Sequence, residues 1–325
     1  MRTDHMSVTL VVNPTAGRNK AAAILPQVLK ELLRGLPEGS LTVRQAASFE
    51  DASKDCHEAV EEALADPSRR SCLVVMGGDG MMHLGVNAAA STGVPLGLIP
   101  AGTGNDICRG FGIPLDPLAA ARLVVAGTTT KVDLANVVGR LSHHRKQRYV
   151  GSVVATGFDA RVGIRGRDMP AIFGSGAYAA AALVELSGFE PLAYRMRIDG
   201  AERNQTAMFI AVSNAGYYGG GMLIAPDWSV SDGLLDVTII HPVSRLTLLR
   251  MLPRMFDGSF VRDPAVERLK ASEVVIDGDG LIGMADGEKL GDVPLGVTCD
   301  HEALTIFAPL AHPLTNRRKA NRRSR

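Results

Sequence analysis

Short apolar runs in the first third of the chain end in loops built around glycine. "SVTLVVNP" leads into Thr15-Ala16-Gly17, "CLVVM" into Gly77-Gly78-Asp79-Gly80, and "PLGLIP" into "AGTGND" at Ala101 to Asp106. Helix-period segments lie between them. Ile24, Leu25, Val28, Leu29, Leu32 and Leu33 form one stripe, with Pro26 near its first turn. "DASKDCHEAVEEALAD" reads as a polar-faced helix, "MMHLGVNAAAS" and "DPLAAARLVVAG" as two more, and "LTVRQ" as a further short strand. Strands alternating with helices predict a parallel, doubly wound α/β sheet. Ligands of such sheets sit beyond the carboxyl ends of the strands. Here those ends carry glycine, which lets backbone N–H groups come close to phosphate oxygens.

The texture changes near Lys131. "KVDLANVVG", "RYVGSVVATGF", "YRMRIDG", "TAMFIAVSNAG", "LLDVTII", "ASEVVIDG", "LIGMADGE" and "ALTIFAP" are short strands set apart by Gly, Asn, Asp and Pro. They predict a second, mainly antiparallel β domain. "GSGAYAAAALVELSG" and "SRLTLLRMLPRMF" read as helices within it. A chain of 325 residues has room for two such domains.

Net charge is +1, which gives the body no bias toward nucleic acid. Cys56, Cys72, Cys108 and Cys299 lack the CxxC spacing of a zinc site and fit reduced thiols of a cytoplasmic protein. No apolar run is long enough to span a membrane, and the start of the chain lacks a signal-peptide core. His143 and His144 fall in a polar turn, and His57 on an acidic helix, so all three read as solvated. The tail carries six basic residues within 317–325. It is either a solubilising end or a peripheral contact with the inner face of an anionic membrane.

There is no GxxxxGK[ST], no protein-kinase signature and no GxGxxG after the first strand. Two acidic constellations stand in the second domain: Asp232 before Gly233, and Asp286 and Glu288 flanking Gly287. Asp-Gly is the commonest signature of a hairpin turn. A carboxylate near phosphate can instead hold Mg²⁺ or take a hydroxyl proton. Residue physics alone leaves both readings open. Residues 277–280, "DGDG", read as a plain turn.

Taken in order, "VVNPTAG", "GGDG", "PLGLIPAGTGNDICRGFGIP", "GGGMLIAPDWSVSDGLLDV" and "DGE" resemble the diacylglycerol kinase catalytic-domain family, which includes bacterial soluble lipid kinases and the sphingosine and ceramide kinases. The resemblance runs from Val8 to Pro309. It implies a nucleotide-binding α/β domain over 1–130 and about 308–325, and a β-sandwich domain over 131–307. It implies ATP and Mg²⁺ as cofactors. Asn13, Pro14, Thr15, Ala16 and Gly17 would then meet nucleotide, as would Gly77, Gly78, Asp79 and Gly80, and Gly102, Thr103, Gly104, Asn105 and Asp106. Asp232, with backbone near Ser229 and Leu234, matches the family's metal site, and Asp286 and Glu288 its acidic pair, with Asp79 beside the phosphates. The implied reaction is transfer of the γ-phosphoryl group to the hydroxyl of diacylglycerol or a related lipid met at a membrane surface.

The chain departs from the family pattern after the glycine loop. Met81, His83 and Leu84 stand where Thr, Asn and Glu are usual, and Ala46 stands where a threonine is frequent, with Ser48 close by. Two other readings therefore stay open: a kinase of a soluble substrate such as NAD, and a nucleotide-binding regulator with weakened catalysis. "YYGGGMLIAP" and the helix from Ala177 to Leu186 are candidate lipid-side elements or ordinary core. An exposed edge strand could pair in a homodimer.

Overall fold

The computed structural model describes residues 6–68, 70–142, 146–158, 160–162, 188 and 190–309. The helix expected at Ala177 to Leu186, the pair His143-His144 and the basic tail lie outside the described residues. The described chain divides into two compact units. The first runs to Asp133 and takes up the chain again from Glu302; the second spans Leu134–His301.

The first unit alternates strand and helix: β1 (Met6–Val12), α1 (Ala16–Leu33), β2 (Leu41–Gln45), α2 (Phe49–Ala65), β3 (Arg70–Gly77), α3 (Asp79–Ala89), β4 (Leu96–Pro100), α4 (Asp106–Gly110) and α5 (Pro117–Ala126). The strands pair in parallel in the order β4-β3-β1-β2. β1, β3 and β4 are almost wholly buried, as strands covered on both faces must be. Helices α1 and α5 pack together, and so do α2 and α3. Capping follows the sequence. Ser48 Oγ accepts the Asp51 N–H at the start of α2, and Asp116 accepts those of Leu118 and Ala119 at the start of α5. Gly127, at φ +68°, ends α5.

One local expectation shifts. Gly17, Arg18 and Asn19 all take left-handed dihedrals, so regular helix begins only at Lys20. Pro26 thus lies inside α1 and not in its first turn, at a position where its missing N–H removes a helical hydrogen bond.

The second unit is antiparallel. It comprises β5 (Thr129–Leu141), which begins in the first unit, β6 (Gln147–Val150), β7 (Val153–Gly157), β8 (Leu192–Ile198), β9 (Ala201–Ala207), β10 (Phe209–Ser213), β11 (Tyr217–Tyr218), β12 (Met222–Leu223), β13 (Leu235–Ile240), α6 (Arg245–Met255), β14 (Val266–Ala271), β15 (Glu273–Asp277), β16 (Ile282–Ala285) and β17 (Glu288–Phe307). One run orders β14-β13-β10-β7-β16-β17, and another joins β17-β15-β8-β9. Val154, Ile210, Val212 and Val237 from the first run share a core with Tyr194, Met196, Val274 and Ile276 from the second. That is a β-sandwich, as alternating short strands require. The "DGDG" segment forms the turn between β15 and β16, with Gly278 and Gly280 at positive φ. β17 crosses back into the first unit, where Ile306 pairs in parallel with Leu96 of β4.

Within "YYGGGMLIAP", Gly219 and Gly220 are exposed and the apolar residues that follow are core. Met222, Leu223, Ile224 and Ala225 are all buried, so their apolar side chains face the interior. No helix among the described residues is long and apolar enough to cross a membrane.

Candidate active site

The strand order places a topological switch point between β1 and β3, since the chain leaves β1 toward β2 on one side and returns to β3 on the other. A cleft of about 280 Å³ opens there. Asn13, Ala16 and Gly17 line it from the loop after β1, Gly78, Gly80 and Met81 from that after β3, and Gly102 and Thr103 from that after β4. Ser48, Phe49 and Ala52 close it from the start of α2.

The glycines divide by what they do. A Cβ on Gly17 would stand 2.2 Å from the Ala101 carbonyl oxygen, and one on Gly102 would stand 2.4 Å from the Gly78 Cα. These residues let the loops touch one another. A Cβ on Gly77 would strike the Met81 side chain at 2.5 Å, whereas one on Gly80 meets nothing nearer than the Phe49 ring at 3.8 Å. Gly80 thus has open space beside it, where the α3 N-terminus begins at Gly78 without a side-chain cap bond.

The polar residues of these loops mostly brace them. Asn13 Oδ1 accepts the Thr15 N–H at 3.0 Å and its hydroxyl at 2.8 Å, folding Pro14 and Thr15 into a tight turn. Asn105, at φ +55°, closes on Gly102 from both ends of its amide: Oδ1 accepts the Gly102 N–H and Nδ2 donates to its carbonyl. Asp79 Oδ1 accepts the Ile107 N–H at 3.2 Å, tying the start of α3 to the start of α4. Asp106 is buried, 3.9 Å from the Arg109 guanidinium, and Arg109 Nε also donates to the Gly104 carbonyl. Thr103 is exposed. Burial, reinforced by the carboxylates of Asp79 and Asp106, pushes the Cys108 thiol well above its ordinary range, so it is inert beneath the site.

The departures from the family pattern have a physical account. Met81, His83 and Leu84 are all buried in α3, with the Asn87 amide donating to the His83 carbonyl at 2.9 Å. Met81 gives the cleft an apolar wall, and Ala46 is buried. Ser48 Oγ is engaged in capping α2.

In the second unit, Asp286 and Gly287 are the two central residues of the hairpin between β16 and β17, at φ +48° and +79°. The turn reading therefore holds for the backbone. The side chain does something further. Asp286 is buried, and its carboxylate accepts the Ser152 hydroxyl and, at 3.4 Å, the Gly151 N–H. Glu288 opens β17, partly exposed. Sequence reasoning missed Ser152, which meets this turn from far along the chain, and Asn214, which bonds Gly151 and Ser152; no motif marks either.

Asp232 is placed differently. Its Oδ2 lies 2.7 Å from the Lys270 ammonium, and its Oδ1 accepts the Leu234 N–H. Ser229 Oγ accepts the Ser231 N–H. A magnesium ion needs carboxylate and carbonyl oxygens turned to one point. Here a fixed ammonium and a backbone donor already engage the carboxylate, so the arrangement does not fit an ion at Asp232. The adjacent Asp236 is buried, and burial holds its carboxyl above the usual range against the pull of Lys270 and Arg268. No group of three or more His, Cys, Asp or Glu among the described residues is placed to hold a metal. At the cleft the demand is smaller, because nucleotide phosphates bring most ligands of their magnesium and one or two carboxylates suffice. Asp79, at the start of α3, and Asp106, at the start of α4, are the carboxylates carried by these loops.

Two family models match successive parts of the chain. Residues 7–137 match the model of the diacylglycerol kinase catalytic domain, and residues 152–308 that of the YegS C-terminal NAD kinase beta sandwich-like domain. A diacylglycerol kinase of Mycobacterium tuberculosis is 35% identical over 306 residues, covering 93% of this chain and 95% of that protein. One from Bacillus subtilis is 28% identical, covering 88% and 90%. Among solved structures, a diacylglycerol kinase from Bacillus anthracis superposes with a TM-score of 0.72 at 22% identity, covering 96% of this chain and all of that one. Yeast NADH kinase shares the fold more distantly, with a TM-score of 0.54 at 13% identity over 98% of this chain and 87% of that one. The α/β unit with its glycine-walled cleft, the β-sandwich unit and the near-complete coverage of these relatives come to one conclusion: this chain belongs to the diacylglycerol kinase catalytic-domain family.

Proposed function

We propose that the protein transfers the γ-phosphoryl group of ATP to the hydroxyl of a lipid, diacylglycerol or a close relative. The observation that carries this is the cleft at the switch point. It combines the open backbone of Gly80 with the start of α3, which has no side-chain cap and carries Asp79 in its first turn, features that suit phosphate and its metal ion. Gly17, Gly78 and Gly102 hold the loops at contact distance, and Asn13 and Asn105 fix their shapes. Asp79 and Asp106 would help hold a magnesium ion arriving with the nucleotide, which would supply charge neutralisation at the phosphates. Glu288 accepts the proton of the attacking hydroxyl, and Asp286 holds the turn before it.

Phosphoryl transfer asks the protein for positioning and charge stabilisation more than for covalent chemistry. The buried Met81, His83 and Leu84 serve the packing of α3, so their presence is no argument for a catalytically weakened regulator. A kinase of NAD has only the shared fold in its favour.

The test is ADP release from MgATP with mixed micelles of diacylglycerol, ceramide or a sphingoid base, and with NAD as the soluble alternative. Release that depends on lipid, and falls about 10²- to 10⁴-fold in Glu288→Ala with ATP binding retained, is the expected result. Release with NAD but no lipid would overturn it.

A further inference from the structure

Asp286 lies deeper than a hairpin residue needs to lie. Two-residue turns put their side chains in water, yet Asp286 is only 7% exposed. A carboxylate withdrawn from water must be given donors. Asp286 has two from one place: the Ser152 hydroxyl at Oδ1 and the Gly151 N–H at Oδ2. Ser152 is itself immobilised. Its carbonyl accepts the N–H groups of Asn214, at 2.9 Å, and Ala215, at 3.2 Å. The Asn214 amide donates to the Gly151 carbonyl at 3.2 Å. Three stretches distant in sequence are thereby knotted: the link between β6 and β7, the end of β10, and the turn between β16 and β17.

We propose that Ser152 is a positioning residue for phosphoryl transfer. Its charge-assisted bond holds Asp286 inward at a left-handed backbone position that a non-glycine residue rarely takes. The orientation of that residue fixes the path of the next two, and so the direction in which Glu288 leaves the turn. Without the hydroxyl, the Asp286 carboxylate loses its better donor and turns toward water, and Glu288 moves with it. This rests on the reading that the 286–288 turn takes the hydroxyl proton.

Ser213 supplies a matched control. Its hydroxyl is fully buried one residue from Asn214, but it has no hydrogen-bond partner among the described residues. Ser152→Ala and Ser213→Ala therefore remove the same atom from similar surroundings, and only the first cuts the knot. In lipid-dependent ADP release, Ser152→Ala should lower kcat about 10- to 100-fold, the scale of an ångström of misplacement, with the KM for ATP within about twofold. Ser213→Ala should leave both constants in place. The double variant Ser152→Ala/Asp286→Asn should be no slower than Asp286→Asn alone, because Ser152 acts through Asp286. Amide hydrogen exchange over 284–290 should quicken in Ser152→Ala and not in Ser213→Ala.

A Ser152→Ala enzyme with full kcat, or an effect that multiplies onto Asp286→Asn, overturns the proposal. If the wild-type protein releases no ADP with any acceptor, the kinase reading falls. The exchange measurement still decides the proposal, since an unchanged rate at the turn shows that Ser152 does not hold Asp286.

Discussion

At the scale of single residues, the loops show that glycines in one motif answer to different constraints. Gly102 faces the Gly78 backbone, which cannot yield, so Gly102→Ala must push two loops apart. The expected result is loss of nucleotide binding and about 1–3 kcal/mol of stability. Gly80→Ala has room for its methyl and should fold with a normal melting temperature. Calorimetry and an ATP titration on the two variants check both statements; equal stability loss would show that the loops are not in contact. The spacing of glycines was legible in the sequence because strand ends and small residues leave a local signature. The division of labour was not, since Gly78 and Gly102 meet only after two strands have been laid side by side. The Asp286 knot was illegible for the same reason. Its Asp-Gly pair announces a hairpin, and nothing near it in the chain announces Ser152. Asp232 illustrates the converse: the sequence shows an acid before a glycine, and only the pairing of β13 with β14 brings Lys270 to its side.

At the scale of elements, long-range ion pairs pin strands that share no turn. Arg203 on β9 grips Glu267 on β14 with two hydrogen bonds of 2.6 Å, and His241, just beyond β13, adds a third at 2.9 Å. The Arg203 bonds first, and His241 after them, hold the Glu267 carboxyl below its ordinary range against the opposing effect of burial. A carboxyl whose folded pKa is depressed stabilises the protein above its unfolded value, here 4.5, and that stability is lost as pH falls through the folded value. Glu267→Gln should therefore cost stability at pH 7, about 1 kcal/mol or less because these side chains are partly solvated. Its melting temperature should also decline less steeply than the wild type's as pH falls below 4.5. Parallel slopes would exclude a role for Glu267 in acid stability. At this scale the α/β elements could be read from hydrophobic period and caps, because helices and buried strands impose strict repeats. Pro26 escaped that reading since the helix starts at Lys20, a turn ahead of the apolar stripe that begins at Ile24.

At the scale of the whole molecule, the first unit is not complete until the chain returns. The last strand buries Leu304, Ile306 and Phe307, and it pairs with β4 at Leu96. Each such side chain contributes about 1.5–3 kcal/mol on burial, or about 5–9 kcal/mol for the three. That is comparable to the entire stability of an ordinary domain, about 5–15 kcal/mol. Truncation after His301 should therefore unfold the first unit, while the 134–301 unit keeps its β-rich circular dichroism. A truncated chain that still binds ATP with wild-type affinity would contradict this.

The point of departure and the point of return are neighbours. The Glu302 N–H donates to the Asp133 carboxylate at 2.8 Å. The sandwich is thus a guest spliced into a host whose ends are already stitched together. Closing such a junction costs little chain entropy, whatever the length of the guest. A lineage, or an engineer, can exchange the cassette between Asp133 and Glu302 for another and leave the host's own sheet intact.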